Sequence, residues 1–383
     1  MLLIGFLVAA ALLWASVFGY VAVLLALAMR RGAARSASTP AAPNGGELPA
    51  IAVVVPVRNE EKFIAAKLAD LARTDYPSKR MVTFVVDGGS TDGTAALVEA
   101  ERARGAAIEL VRVEGARGKA EQLNAILGRL HHDAIIVTDV DASLDPTCIR
   151  NLVDALRSDP MAAIVGARIR PATSLLEERI HWWLLNSLWW LEGEALGAAA
   201  VSGVCYAMRP SAFVPLPADC TAEDIRLALG SCARGFSVRL CRTALATEWR
   251  VPQTVRDFLL FRRRRGCGYI RELLRARAPA APLRWHVVRL LRLYHFLVMP
   301  LLATAAVASG LALYATSHWY WPTMIGLAFA VPALVALFAS TTLGGDGRRW
   351  WHLSFAAGRL AGLTWLSLLA LPRAALPTLI EGE

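Results

Sequence analysis

The run Ile135-Ile136-Val137-Thr138, followed by Asp139-Val140-Asp141-Ala142, constrains this chain more than any other stretch. An apolar run ending in two acids one residue apart reads as a buried parallel strand whose C-terminal end delivers carboxylates into a crevice. Open α/β sheets bind ligands at that end. Asp139 and Asp141 share strand parity, so both can face one hard divalent cation. Mg²⁺ or Mn²⁺ takes such oxygen ligands and keeps positions open for substrate phosphates, which makes a nucleotide diphosphate the natural third partner. The tripeptide alone also caps helices and solvates loops, so its surroundings have to decide.

Those surroundings alternate strand and helix. Strands are expected at 51–55, 82–86, 108–113 and 134–138, and helices at 60–72, 94–104 and 119–130, where Leu123, Leu127 and Leu130 share one face. Short connections between parallel strands require right-handed crossovers, so the fold class is α/β, a Rossmann-like doubly wound mixed sheet. Asp145-Pro146 opens a further helix with Ile149, Leu152, Val153 and Leu156 on its inner face. Strands at 201–208 and 236–240 flank a helix from 223 to 234. Residues 174–197 hold Trp182, Trp183, Trp189 and Trp190 on roughly one helical face, which suits either a membrane interface or packing of that helix on the sheet.

With 56% hydrophobic residues among 383, the chain carries more apolar sequence than such a domain needs. Residues 2–29 are uncharged and, at ~1.5 Å per residue, long enough to span a bilayer. Arg30, Arg31 and Arg35 follow, and Arg348 and Arg349 separate the last two of three later apolar runs at 296–316, 319–343 and 353–371. By the positive-inside rule these flanks predict an integral protein of a bacterial-type inner or plasma membrane with its α/β domain in the cytoplasm. The expected organisation is a transmembrane helix at 1–30, a linker at 31–49, the α/β domain at 50–250, basic amphipathic helices at 251–294 and three transmembrane helices at 295–383. The six cysteines form no C-x-x-C pair and read as reduced thiols. The net charge of +10 is concentrated between Arg256 and Arg292, where eleven arginines face Asp257 and Glu272. Such a run anchors to membrane lipids or clamps phosphate. No stacking platform or recognition motif accompanies it, which argues against nucleic acid as a partner.

Pro56-Val57-Arg58-Asn59-Glu60 follows the first strand, and Asp87-Gly88-Gly89-Ser90-Thr91-Asp92-Gly93-Thr94 follows the second. Arg117-Gly118-Lys119-Ala120-Glu121-Gln122-Leu123-Asn124 opens the helix before the Asp139 strand. A lysine at a helix N-terminus is unfavourable for the dipole, so an anionic ligand there would offset the cost. Ser202-Gly203-Val204, Thr221-Ala222-Glu223-Asp224 and Arg262-Arg263-Arg264-Arg265-Gly266 come later in the chain. In this order the motifs resemble membrane-bound glycosyltransferase family 2, the GT-A-fold enzymes that include cellulose, hyaluronan and poly-N-acetylglucosamine synthases and non-processive relatives. The resemblance covers roughly residues 50–268.

The resemblance implies a GT-A domain with a nucleotide-sugar site formed by Pro56, Arg58, Glu60, Asp87, Gly89, Lys119 and Asp139. Asp87 would accept hydrogen bonds from the nucleobase, with Gly88 standing where many members carry a second Asp. Asp139 and Asp141 would hold Mg²⁺ or Mn²⁺, Gly203 and Glu223 would line the acceptor, and Asp224 would be the base of an inverting transfer. Arg262 and Arg265 align with the family's Q/R-x-x-R-W and would neutralise the diphosphate, with Gly266 in place of the Trp. The expected reaction is metal-dependent, non-processive transfer from a nucleotide-diphosphate sugar, a UDP-sugar foremost, to a lipid-linked or membrane-proximal saccharide acceptor. The alternatives are a processive polysaccharide synthase and a nucleotide-sensing pseudo-enzyme, and intact Asp139, Asp141 and Asp224 argue against the last. Ordinary roles stay open to several of these residues: Asn59, Glu60, Asp92 and Thr221 as helix caps, and Lys119 as a solvated charge.

Overall fold

The computed structural model describes residues 2–38, 47–116 and 118–298, with isolated residues from 301 to 315. Two helices, α1 (Leu2–Trp14) and α2 (Tyr20–Ser38), are separated by a π-helical turn at Ala15–Gly19. The span expected at 1–30 falls on these elements. The apolar sequence ends within α2, whose later residues include Arg30, Arg31 and Arg35, and Leu24 packs against Leu191 and Ala195. Among the described residues no helix is long and apolar enough to cross a membrane. That finding overturns the assignment of the chain as an integral membrane protein with a cytoplasmic domain. The three later runs expected to span fall outside the described residues, apart from 296–298 and scattered positions up to 315.

The first half of the domain follows the apolar runs. β1 (Ile51–Val57), α3 (Glu61–Ala72), β2 (Met81–Asp87), α4 (Thr94–Ala103), β3 (Ile108–Arg112), α5 (Lys119–Leu127) and β4 (Ala134–Thr138) form successive crossovers. β1 lies between β2 and β4, parallel to both, with Ile51 opposite Met81 and Ala134. Its seven residues are all buried, as are all five of β4, which is why both read as continuous apolar runs. This register sets the C-terminal ends of β1, β2 and β4 on one edge, where Arg58, Asp87 and Asp139 emerge.

Beyond β4 the sheet becomes mixed. β5 (Ala142–Leu144), α6 (Cys148–Arg157), β6 (Ala162–Pro171), α7 (Leu176–Leu196), β7 (Cys205–Met208), α8 (Glu223–Ala233) and β8 (Ser237–Glu248) complete an eight-stranded sheet of order β3-β2-β1-β4-β7-β6-β8-β5. β7 runs antiparallel to β4 and β6, β5 runs antiparallel to β8, and β6 and β8 are parallel to each other. β6 has no counterpart among the expected strands, and β8 continues past 240 to Glu248, which sits opposite Ala142 beside the D-x-D turn. On α7, Trp182 and Trp189 are buried edge to face with ring centres 6.1 Å apart, so these two rings serve packing. α9 (Val255–Arg275) and α10 (Leu283–Leu293) follow, burying Phe258, Ile270, Leu273 and Trp285. Their arginines turn substantially inward. Arg292 donates to Glu192 at 2.8 Å and to the Ala198 carbonyl at 2.8 Å, and Arg289 donates to the Leu273 carbonyl at 2.8 Å.

Candidate active site

The loop after β1 is pinned to the loop after β2. Asn59 adopts φ 55° and its side-chain oxygen accepts from the Thr91 amide at 2.8 Å, while its own amide donates to Ser90 Oγ at 2.9 Å. Asp92 accepts from the Thr94 amide at 3.0 Å, so it closes the first turn of α4. Asp87 is buried and uses one oxygen to accept both the Ser90 amide, at 2.9 Å, and the Ser90 hydroxyl, at 2.6 Å. Arg58 donates to the Ala116 carbonyl at 3.2 Å, across from Gly89, whose φ of +82° an L side chain rarely adopts. Pro56 stays inside β1, level with Val86. Sequence reasoning missed Gln122 here. Its amide donates to the carbonyls of Val57 at 2.7 Å and Val86 at 3.0 Å, and a Cβ at Gly88 would meet that nitrogen at 2.6 Å. The floor beneath the strand ends is therefore closed by a glutamine where a second acid at 88 would otherwise project.

Around the D-x-D the carboxylates outnumber the cations and share them. Lys119, at the first turn of α5, reaches Asp139 Oδ1 at 2.6 Å and Glu223 Oε1 at 2.7 Å. Burial disfavours that ammonium, yet the two carboxylates hold its proton affinity well above the usual lysine range. Glu223 is raised by burial, and Lys119 more than reverses this, so its carboxyl lies below the usual range. Asp224 receives no such partner. It accepts from the Gly203 amide at 2.8 Å and the Ile225 amide at 2.7 Å, but burial first and the Glu223 charge second push it up to about 6. A Cβ at Gly203 would lie 2.8 Å from Lys119 Nζ and 3.0 Å from Glu223 Oε1, so any side chain there would displace the ends of both. Beneath the cluster the wholly buried Tyr206 hydroxyl has no hydrogen-bond partner among the described residues.

On the other side of the turn, Arg250 lies 3.3 Å from Asp141 Oδ2 and donates to Glu60 at 3.0 and 2.5 Å. It was not foreseen, because the strand that delivers it was expected to end at 240. Asp141 is pushed up by burial and then by the Asp139 charge. Two carboxylates that repel each other, flanked by lysine and arginine, suit a hard divalent cation that completes its shell with phosphate oxygens. Among the described residues no group of three or more His, Cys, Asp or Glu side chains is arranged to hold a metal, so a closed protein cage is not what this turn offers.

Both arginines of the aligned α9 segment reach the cavity wall, already partnered. Arg262 is paired with Glu178 and boxed against the rings of Trp182, Phe258 and Phe261. Arg265 donates to Glu248 at 2.6 Å and stands near enough to Asp139 and Asp224 for their charges to raise its proton affinity. Burial lifts the Glu248 carboxyl to about 7 despite that pairing. A cavity of about 510 Å³ joins these groups. Lys119, Asp139, Glu223 and Asp224 line its polar end, and Trp182, Leu185, Leu188, Trp189 and Phe296 form its apolar wall.

The family profile described as Glycosyl transferase family 2 matches residues 52–209, and that of Glycosyl transferase family group 2 matches residues 134–340. The chain is similar to the probable glycosyltransferase YdaM of Bacillus subtilis (strain 168), 27% identical over 223 residues that cover 55% of this chain and 53% of that protein. It is equally similar to poly-beta-1,6-N-acetyl-D-glucosamine synthase of Staphylococcus aureus (strain COL), 27% identical over 221 residues, 55% of this chain and 52% of the synthase. The chain thus spans about half the length of these curated relatives. Among solved structures, the mannosyltransferase PcManGT from Pyrobaculum calidifontis in complex with GDP-Man and Mn²⁺ matches with a TM-score of 0.67 at 24% identity, covering 96% of this chain and 98% of that one. That likeness establishes the fold, a GT-A-like mixed α/β sheet.

Proposed function

The chain belongs to glycosyl transferase family group 2 and is a glycosyltransferase, and we propose that it moves a sugar, with inversion, from a nucleotide-diphosphate sugar to a hydroxyl of a lipid-linked acceptor. The observation that carries this reading is Asp224, the one carboxylate of the Lys119 cluster that forms no ion pair, its carboxyl pushed up to about 6 by burial first and the Glu223 charge second. A carboxylate poised there is ionised at neutral pH yet basic enough to take the acceptor proton as the oxygen attacks. Lys119 offsets part of the charge of Asp139 and Glu223, which lowers the repulsion an anionic donor meets from these acids. Asp139 and Asp141 would hold Mg²⁺ or Mn²⁺, which when bound supplies charge stabilisation to the departing diphosphate. Arg265, at 38% side-chain exposure, is the arginine placed to meet that diphosphate, whereas Arg262, at 12%, orients the wall through Glu178. Asp87, Arg58 and the left-handed backbone at Gly89, which keeps a side chain out of this loop, support a nucleobase seat, for which a UDP-sugar is the first candidate.

The apolar wall of the cavity supports an acceptor with a hydrocarbon portion, because a saccharide alone would leave Leu185, Leu188 and Phe296 facing hydroxyls. Gly266 lines the same cavity and offers no ring of its own, while Trp182 packs on Trp189 and Tyr269 on Phe296, so the rings of the wall are engaged with one another, which favours addition of one or a few sugars over processive synthesis. A donor screen following nucleoside-diphosphate release, with and without an alkyl-tailed hydroxyl acceptor, tests the proposal. The expected result is acceptor-stimulated release from one donor and a discrete organic-extractable product. A high-molecular-mass polymer, or release that no apolar acceptor stimulates, would refute it.

A further inference from the structure

A lysine buried behind the D-x-D turn touches none of the groups assigned to the transfer. Lys67, on the inner face of α3, is 2% exposed. Its ammonium donates to Thr138 Oγ1 at 2.9 Å and to the Ala142 carbonyl at 2.8 Å. Thr138 directly precedes Asp139, and Ala142 directly follows Asp141. One side chain therefore ties together the two residues that bracket the carboxylate pair. One helical turn on, Asp70 accepts from the Leu144 amide at 2.8 Å, and the Asp139 amide and Thr138 hydroxyl both donate to the Val204 carbonyl, at 3.1 and 2.9 Å.

Stability alone gives no reason for an ammonium at this position. Burying a charge costs far more than burying methylenes, and a methionine would fill similar volume among the same neighbours. Geometry gives a reason. Mg²⁺ and Mn²⁺ are held by few protein oxygens at short distances, so affinity depends on how firmly the backbone between two ligands is set. Groups that fix metal ligands without touching the metal typically change its affinity by ~10–100-fold when removed.

We infer that Lys67 is a positioning residue for the divalent cation, clamping the Asp139–Asp141 turn from behind through Thr138 and Ala142. This rests on the reading that Asp139 and Asp141 hold a metal, and the test separates the two. The full chain is titrated with Mn²⁺ alone, and free ion is followed by electron paramagnetic resonance, with thermal melting in parallel. Wild type is expected to bind, and Lys67→Met to bind about tenfold more weakly or worse while melting no lower than wild type. Thr138→Val removes the clamp's other partner, is expected to weaken Mn²⁺ in the same direction, and decides the matter if Lys67→Met does not fold. Equal affinity in wild type and the folded variant overturns the role of Lys67 and leaves the metal site standing. No Mn²⁺ binding by wild type overturns both.

Discussion

In and around the cavity lie two kinds of buried and half-buried charge, and they differ in how they are matched. At the strand ends each cation is shared: Arg250 between Glu60 and Asp141, Lys119 between Asp139 and Glu223. Along the helices each is paired once and sealed: Arg262 with Glu178, Arg292 with Glu192. The Arg250 side chain is 54% exposed and that of Arg292 only 7%. A shared, wetted ion can be exchanged for a metal or a phosphate at little cost, whereas breaking a sealed pair leaves a charge stranded out of water. The difference separates the groups a substrate meets from those that keep the wall in place. Arg265 stands between the two, half-exposed itself on a buried Glu248.

The largest effect is expected on the shared side. Asp139→Asn, or chelation of divalent ions, should lower turnover on the order of 10²–10³-fold, equivalent to several kcal/mol of lost charge stabilisation. Full turnover in excess chelator would break the comparison at its centre. Next in size is a contrast in stability. Glu192→Ala strands Arg292 and should cost about 3–5 kcal/mol in urea unfolding, whereas Arg250→Ala should cost less than about 1 kcal/mol yet weaken donor binding. Equal destabilisation by both would remove the distinction between exchangeable and sealed pairs.

The smallest effect is in pH dependence and sharpens the role of Asp224. Its carboxyl is pushed up to about 6, so acceptor-dependent turnover should fall as pH drops through that value and the base takes up a proton. The stability sign is opposite. The folded state binds this proton more tightly than the unfolded chain, so ionisation weakens the fold as pH rises from the ordinary carboxylate range through about 6. Asp224→Asn should therefore melt above wild type at about pH 8 and close to it at about pH 4.

The parallel half was legible in the sequence because β1 and β4 are buried on both faces and so read as unbroken apolar runs with the site residues at their ends. Of β8 only the start was legible, since Cys241, Arg242 and Thr243 interrupt its pattern, and with the strand's end went Arg250 and the partner of Arg265, Glu248. Lys67 and Gln122 sit on helices read correctly as helices, but their hydrogen bonds cross to strands distant in sequence, which no periodicity encodes. The membrane expectation failed for a related reason. Hydropathy registers an apolar segment at 2–29 but not the α7 surface that covers Leu24.

Donor affinity and transfer rate measured together on Asp224→Asn test the central claim most directly. The substitution removes the base and leaves Lys119, Asp139 and Glu223 in place. The expected result is a donor Kd within about threefold of wild type and acceptor-dependent transfer reduced by at least ~10²-fold. A collapse of donor affinity with transfer surviving would show that this carboxylate seats the donor and that the proton leaves by another route.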